Sequence, residues 1–261
     1  MIKPVSLSFV EEISKKAILH AGEIAKKYKN NISIKYKSKN QPVTNADVAI
    51  DNYLKQYFNI ETPSFGWVSE ETKDDKSRLS TEYFWCLDPI DGTRSYINNK
   101  PEYTISLALI KKNTPIIGYI FNPETNELFF GKKEFGAFCN NQRIEVNKQD
   151  DIFKSKFALS SSEIGRIKKY NFFDHNNAIS MGSIAYKVAL VAKGKIDIAL
   201  SFTKKNDWDM AASHLILDEA GGDLKSVSGK NIIYNSQSML IESVVATNKK
   251  LMKKLRIKFN E

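Results

Sequence analysis

Cysteine and histidine are scarce in this 261-residue chain, and each shortage removes a class of chemistry. The two cysteines, Cys86 and Cys139, stand in no metal-binding or redox spacing, which excludes a zinc ribbon, a Cys-x-x-Cys oxidoreductase and a disulfide-stapled scaffold. The three histidines, His20, His175 and His214, are too far apart to make a zinc-ligand pattern. No apolar run approaches the roughly 18–20 residues that cross a bilayer. The start, Met1-Ile2-Lys3-Pro4-Val5, lacks the apolar core and cleavage site of a secretion leader. A cytoplasmic enzyme with free thiols is the expectation.

Bases outnumber acids, giving a formal charge of +9. Nucleic acid, a membrane surface or an anionic substrate would all suit that sign. The lysines are scattered, however, and the densest stretch, Lys249 to Arg256, alternates bases with apolar residues at helical spacing. It reads as a solvated helix face. No stacking-aromatic motif accompanies it, so a stable nucleic-acid partner is not expected.

Hydrophobic periodicity gives the organisation. Phe9, Ile13, Ala17, Ile18, Ala21, Ile24 and Ala25 predict an opening helix, and a polar link from Tyr36 to Gln41 follows it. A second helix is expected from Thr44, with Val48, Ala49, Tyr53, Leu54, Tyr57 and Phe58 on its apolar side. Strands are expected at Phe65–Val68, Tyr83–Leu87, Tyr103–Ile110, Ile116–Phe121 and Glu127–Gly131, the last three joined by turns at Asn113-Thr114-Pro115 and Asn122-Pro123-Glu124. A polar stretch from Gln149 to Lys156 divides the chain into halves, 1–152 and 153–261. Beyond it come a strand at Phe157–Ser160, a helix at Ser183–Lys193, a strand at Ile196–Phe202, a helix at Met210–Ala220 closed by Gly221-Gly222, and Val244–Ala246 leading into a basic terminal helix. The class is mixed α/β.

Carboxylates at element ends carry the chemistry. Asp88-Pro89-Ile90-Asp91-Gly92-Thr93 follows a buried-looking strand; Glu70 and Glu71 follow another; Asp47 lies in Thr44-Asn45-Ala46-Asp47; Asp209 opens a helix. Hard cations such as Mg2+ take oxygen ligands in near-octahedral geometry, and rigid strand ends can aim several carboxylates at one point. Pro89 stiffens the segment, and the Ile90 carbonyl is a further oxygen. Gly92 would let a phosphate approach the backbone, and Thr93 would begin a short helix whose N–H groups suit an anion. Plainer readings stand beside these: an Asp-rich turn, a capping box at Thr44–Asp47, surface acids at Glu70 and Glu71, and a helix cap at Asp209.

Taken in order, these motifs resemble those of the inositol monophosphatase-like family of lithium-sensitive, Mg2+-dependent phosphatases. The family pattern is Thr-x-x-Asp, a Glu-Glu pair, a strand ending in Asp-Pro-(Ile/Leu/Val)-Asp-Gly-Thr, and a late Trp-Asp at a helix. Here these are Thr44–Asp47, Ser69-Glu70-Glu71, Trp85–Thr93 and Trp208-Asp209-Met210-Ala211-Ala212. The resemblance implies a layered α-β-α-β-α sandwich with the site between its halves, and two or three Mg2+ ions. It implies metal ligation by Glu71, Asp88, the Ile90 carbonyl, Asp91 and Asp209. Asp47, Thr93 and Glu71 would handle the attacking water, with Glu70 and Thr44 supporting them. Gly92, Thr93, Arg94, Gly182, Ser183 and Lys187 would contact a small phosphorylated substrate, and a homodimer is possible. The continuation Asp91-Gly92-Thr93-Arg94-Ser95-Tyr96-Ile97 looks more like the 3'(2'),5'-bisphosphate nucleotidase branch, serving sulfur assimilation, than like inositol monophosphatases. An inositol-phosphate phosphatase, a histidinol-phosphate phosphatase and a non-catalytic anion- or nucleic-acid-binding protein remain the alternatives.

Overall fold

A computed structural model describes residues 6–38 and 41–260. The leaderless start expected at Met1–Val5, and Lys39 and Asn40 of the polar link, lie outside the described residues. Helix α1 (Leu7–Lys29) leads through a hairpin, β1 (Ile34–Ser38) and β2 (Gln41–Thr44), to α2 (Asn45–Glu61). Then come β3 (Gly66–Ser69), β4 (Tyr83–Asp91), the short α3 (Thr93–Ile97), β5 (Thr104–Lys111), β6 (Thr114–Asn122), β7 (Glu127–Lys132), β8 (Gly136–Cys139) and β9 (Gln142–Arg143). The second half contains β10 (Phe157–Leu159), α4 (Ile164–Ile167), β11 (Ala178–Ser180), α5 (Ile184–Ala192), β12 (Ile198–Ser201) and β13 (Lys205–Asn206). It ends with α6 (Asp207–Glu219), β14 (Gly222–Lys225), β15 (Leu240–Ile241), β16 (Val244–Asn248) and α7 (Lys249–Asn260).

Strands β3 to β9 form one seven-stranded sheet in sequence order, antiparallel except for the parallel β3–β4 pair. A second, five-stranded sheet runs β11-β10-β12-β16-β14. Alternation along β4 shows how the layers stack. Trp85 and Leu87 face α1 and α2, packing with Ile18, Ile50, Leu54 and Phe58. Phe84 and Cys86 face the other way, into a core shared with α5, α6 and the near face of the second sheet. The far face of that sheet, Phe157, Leu159, Ile198 and Leu200, is covered by Leu251, Met252 and Leu255 of α7. Five layers result, α-β-α-β-α, as expected.

Helix α6 seats itself in a furrow of small side chains. Cys86, Ala108, Gly118, Gly131 and Ala137 are consecutive register partners across β4 to β8. A Cβ on Gly118 would come within 2.8 Å of Ala212 O, and one on Gly131 within 2.9 Å of Ile216 Cα. Helix and sheet therefore meet backbone to backbone there, and only glycine permits it.

Several expectations change. Phe9 and Val48 are exposed, because the buried stripe of α1 runs through Val10, Ile13, Ala17 and Ala21, and that of α2 through Ala46, Ile50, Leu54 and Phe58. Asp209 is the third residue of α6 rather than its opening, since the cap is Asn206. Strand β4 continues through Asp91 instead of ending at Leu87. The β1–β2 hairpin, in place of the expected polar link from Tyr36 to Gln41, and strands β8, β9, β11, β14 and the short β13–β15 pair were not foreseen; they are two to five residues long, too short to show a period. Among the described residues, no helix is long and apolar enough to cross a membrane.

Candidate active site

Asp88 and Asp91 are three apart, so in a regular strand they would point to opposite faces. The β4–β5 ladder slips between them: Asp88 pairs with Ser106 and Asp91 with Thr104, three residues on β4 against two on β5. This bulge restores the parity. Ile90 turns into the α1/α2 core, and Asp91 joins Asp88 on the side of α6. A hydrogen bond from Ile90 N to Asp88 Oδ1 (3.0 Å) and one from Thr93 Oγ1 to Ile90 O (3.0 Å) close the loop.

Asp209 arrives from the second half of the chain. It forms a capping box with Asn206, whose backbone N donates to Asp209 Oδ2 at 2.6 Å. Ser106 Oγ donates to Trp208 O (3.1 Å), pinning the same turn to β5. One carboxylate oxygen each from Asp88, Asp91 and Asp209 then lies within 4.8 Å of the others. Such a cluster is electrostatically costly in the absence of a cation. Burial, then the charges of Glu70, Asp91 and Asp209, push Asp88 far above the usual carboxylate range. Asp209 is pushed to about 7 by burial and then by Asp91 and Glu70. Asp91 is raised by burial, and hydrogen bonds draw it back: Ser183 Oγ and Ala185 N each donate to its Oδ2 at 2.6 Å. Mutually repelling, all-oxygen and convergent, with Asp88 and Asp91 buried and Asp209 half-buried, the trio fits a hard divalent cation.

Asp47 sits behind this cluster, buried at the third position of α2. Thr44 N (2.8 Å) and Thr44 Oγ1 (2.5 Å) donate to its Oδ2, and Thr93 Oγ1 reaches its Oδ1 at 3.4 Å. Capping box and site contact thus coexist in one residue. Burial raises Asp47 to about 6, against the Thr44 hydrogen bonds.

Glu70 and Glu71 follow β3 as expected, yet both are engaged by a residue that sequence reading left in a link. Lys37 Nζ, on the β1–β2 hairpin, lies 2.9 Å from Glu70 Oε1 and 2.8 Å from Glu71 Oε1. Burial raises Glu71 to about 7, with Lys37 opposing.

The residues singled out for substrate are placed unequally. Arg94 is exposed on α3 directly after Thr93. Gly92 has φ +96°, and a Cβ there would meet Glu102 O at 2.8 Å and Ser183 N at 3.1 Å, so conformation and packing already demand glycine. A Cβ on Gly182 would lie 2.0 Å from Ser95 Oγ. Ser183, at φ +47°, commits its hydroxyl to Asp91 and to the cap of α5, where it accepts from Tyr186 N at 3.0 Å. Lys187 is buried, donates to Met181 O at 3.1 Å, and is lowered to about 8 by that burial.

Sequence reading missed Lys37, Thr104 and Ser106. The last two carried a signal: they are the two buried polar positions, two apart, in a strand otherwise apolar up to its exposed end at Lys111, and by register they face the two acids. Lys37 carried none, since a lysine in a polar link has no distinguishing spacing.

The chain matches the inositol monophosphatase family over residues 6–260. It is 30% identical to "Fructose-1,6-bisphosphatase/inositol-1-monophosphatase" of Aquifex aeolicus, across 81% of this chain and 83% of the relative. It is 25% identical to "3'(2'),5'-bisphosphate nucleotidase CysQ" of Aggregatibacter actinomycetemcomitans, across 82% of both. The extragenic suppressor protein suhB of Bartonella henselae has the same fold, with a TM-score of 0.83, 24% identity, and coverage of 97% of this chain and 98% of that one. A cluster of carboxylates from β4 and α6, in a chain that matches from end to end of its described residues, leads to one classification: the protein belongs to the inositol monophosphatase family and is a phosphomonoester hydrolase.

Proposed function

We propose that this protein is a Mg2+-dependent phosphatase that hydrolyses a small phosphomonoester with water as the direct nucleophile, and that its substrate is a 3'(2'),5'-bisphosphate nucleotide such as adenosine 3',5'-bisphosphate. The observation that carries the first part is the convergence of Asp88, Asp91 and Asp209 on one point. The division of the chain near residue 152 accompanies this reading: the first half would supply Asp47, Glu71, Asp88, Ile90 and Asp91, the second Asp209.

Asp88, Asp91 and Asp209 would hold the metal, with the Ile90 carbonyl and Glu71 as further oxygens. When bound, Mg2+ supplies Lewis-acid polarisation and neutralises charge on the phosphoryl group. Thr93 Oγ1 donates toward Asp47 and Ile90 O, and its remaining lone pair would orient the attacking water. Asp47, raised to about 6, titrates near neutral pH and is suited to accept that water's proton. Water oxygen bonds to phosphorus, the phosphorus–ester oxygen bond breaks, and the leaving alcohol departs with a proton. Glu71 would exchange its Lys37 partner for the cation.

Support for a nucleotide rests on Arg94, exposed one residue beyond Thr93 and able to meet a second phosphate, and on the CysQ relative. Lys187 is less suited to that contact, being buried and bonded to Met181. The Aquifex relative favours a second reading, an inositol monophosphate. Phosphate release from adenosine 3',5'-bisphosphate, inositol 1-phosphate and histidinol phosphate, each with and without Mg2+, tests both parts. Fastest turnover of the bisphosphate supports the proposal, and fastest turnover of inositol 1-phosphate replaces its second half. Binding without metal-dependent release would overturn the phosphatase mechanism. Asp91→Asn should abolish turnover with the fold intact, and near-normal activity would exclude the site.

A further inference from the structure

Asp209 reaches the site only through the first turn of α6, so whatever fixes that turn fixes the carboxylate. Main-chain contacts hold one side: Asp207 N donates to Met239 O (3.2 Å), and Asn206 pairs with Leu240 in the β13–β15 ribbon. The Asp207 side chain makes a separate connection. It is 1% exposed, and its Oδ2 accepts from Asn235 N at 2.7 Å. Asn235, in the left-handed region at φ +60°, accepts at Oδ1 from Arg78 Nη1 (2.6 Å) and donates from Nδ2 to Lys112 O (2.7 Å) and Arg78 O (3.3 Å).

Arg78 is completely buried. Its Nη1 also donates to Ser236 O at 3.1 Å, and its Nε donates to Asp74 Oδ2 at 3.0 Å. Asp74 and Arg78 belong to the connection between β3 and β4, the one that begins with Glu70 and Glu71. One continuous hydrogen-bonded chain, Asp74–Arg78–Asn235–Asp207, with Arg78 and Asp207 buried and the other two half-buried, therefore ties the segment bearing Glu70 and Glu71 to the helical turn bearing Asp209. Burying an arginine and an aspartate stabilises a fold no better than a well-packed apolar pair of the same volume. What such a chain adds over an apolar contact is direction: bidentate and charge-assisted hydrogen bonds specify orientation as well as proximity. Groups behind metal ligands act in this way, setting ligand orientation and hence affinity.

We propose that Asp207 and Arg78 are positioning residues that, through Asn235, hold the first turn of α6 so that Asp209 stays within ligand distance of Asp88 and Asp91. The proposal rests on the metal-site reading above, and the experiment separates the two. Mg2+ is titrated calorimetrically into the full chain as wild type, Asp207→Ala, Asp207→Asn, Arg78→Met and Leu224→Ala, with melting temperatures measured in chelator. Leu224 is buried in β14, beyond the opposite end of α6, and serves as a destabilised control. Asp207→Ala and Arg78→Met should weaken Mg2+ binding by roughly tenfold to a hundredfold. Asp207→Asn keeps an acceptor for Asn235 N and should stay within about threefold of wild type. Leu224→Ala should melt earlier with its Mg2+ affinity unchanged. If Asp207→Ala does not fold, Arg78→Met and Asp207→Asn carry the comparison. Affinities within about twofold of wild type for both Asp207→Ala and Arg78→Met, or an equal loss in Leu224→Ala, would overturn the positioning role. Absence of Mg2+ binding in the wild type would overturn the metal site and this role together.

Discussion

Removing the cation should make the protein less stable as pH rises, and adding it back should cancel the part of that loss that arises at the site. In the metal-free fold, burial and neighbouring charge raise Asp209 to about 7, and burial raises Asp47 to about 6. A carboxyl raised on folding binds its proton more tightly in the native state. Its contribution is complete below the unfolded value and is lost as pH climbs through the folded one. Between pH 5.5 and 8, linkage gives a loss of ~2 kcal/mol from Asp209 and ~1 kcal/mol from Asp47. For a chain of this size that lowers the melting temperature by roughly 6–12 °C. Bound Mg2+ takes the place of the protons, and at about one hundred times its Kd it returns ~2.7 kcal/mol, the same order as the loss. His214 acts in the other direction, since burial lowers it to about 4 and its penalty grows as pH falls. It bonds to Tyr234 and faces Asp218, away from the trio, so Mg2+ leaves its contribution in place. The informative quantity is therefore a double difference: denaturation at the two pH values, in EDTA and in saturating Mg2+. The pH-dependent loss should be smaller in Mg2+ than in EDTA, the remainder coming from groups outside the trio such as Asp207, which burial raises to about 7. Equal losses in both media would refute the reasoning, because the trio would then not be where the cation binds.

Ser183→Ala removes a charge-assisted hydrogen bond to Asp91 and the side-chain cap of α5. It should cost about 2–4 kcal/mol in chelator, measured by urea denaturation. Lys37→Met frees Glu70 and Glu71 from their shared ammonium and removes a competitor for the cation. Calorimetry should show Mg2+ binding up to about tenfold tighter, and unchanged affinity would argue against Glu71 as a ligand.

The acids of the site were legible because each stands at a discontinuity that sequence displays: Glu70 and Glu71 at the end of an apolar run, Asp88 after another, Asp209 near a helix start. The order of long elements followed from period alone. What stayed hidden lies in three-dimensional register. The spacing of Asp88 and Asp91 gave no sign of a bulge, because the extra residue appears only when β4 is set against β5. Ser183 and Gly182 appeared as substrate contacts, whereas their packing against Asp91 and Ser95 depends on a layer more than eighty residues away in sequence. The exposed Phe9 and Val48 mark the opposite failure: each is an apolar residue just beside a buried stripe whose other members, Ile13, Ala17, Ala21, Leu54 and Phe58, were read correctly.

The furrow beneath α6 also sets a mechanical tolerance. Because Gly118 and Gly131 let the helix backbone rest directly on the strands, no compliant side chain lies between the part that carries Asp209 and the part that carries Asp88 and Asp91. The acids on the strand and the acid on the helix are gauged against each other at a bearing surface remote from all three. A single methyl group added at Gly118 would act as a shim against Ala212, lifting the helix that carries Asp209 off the strands.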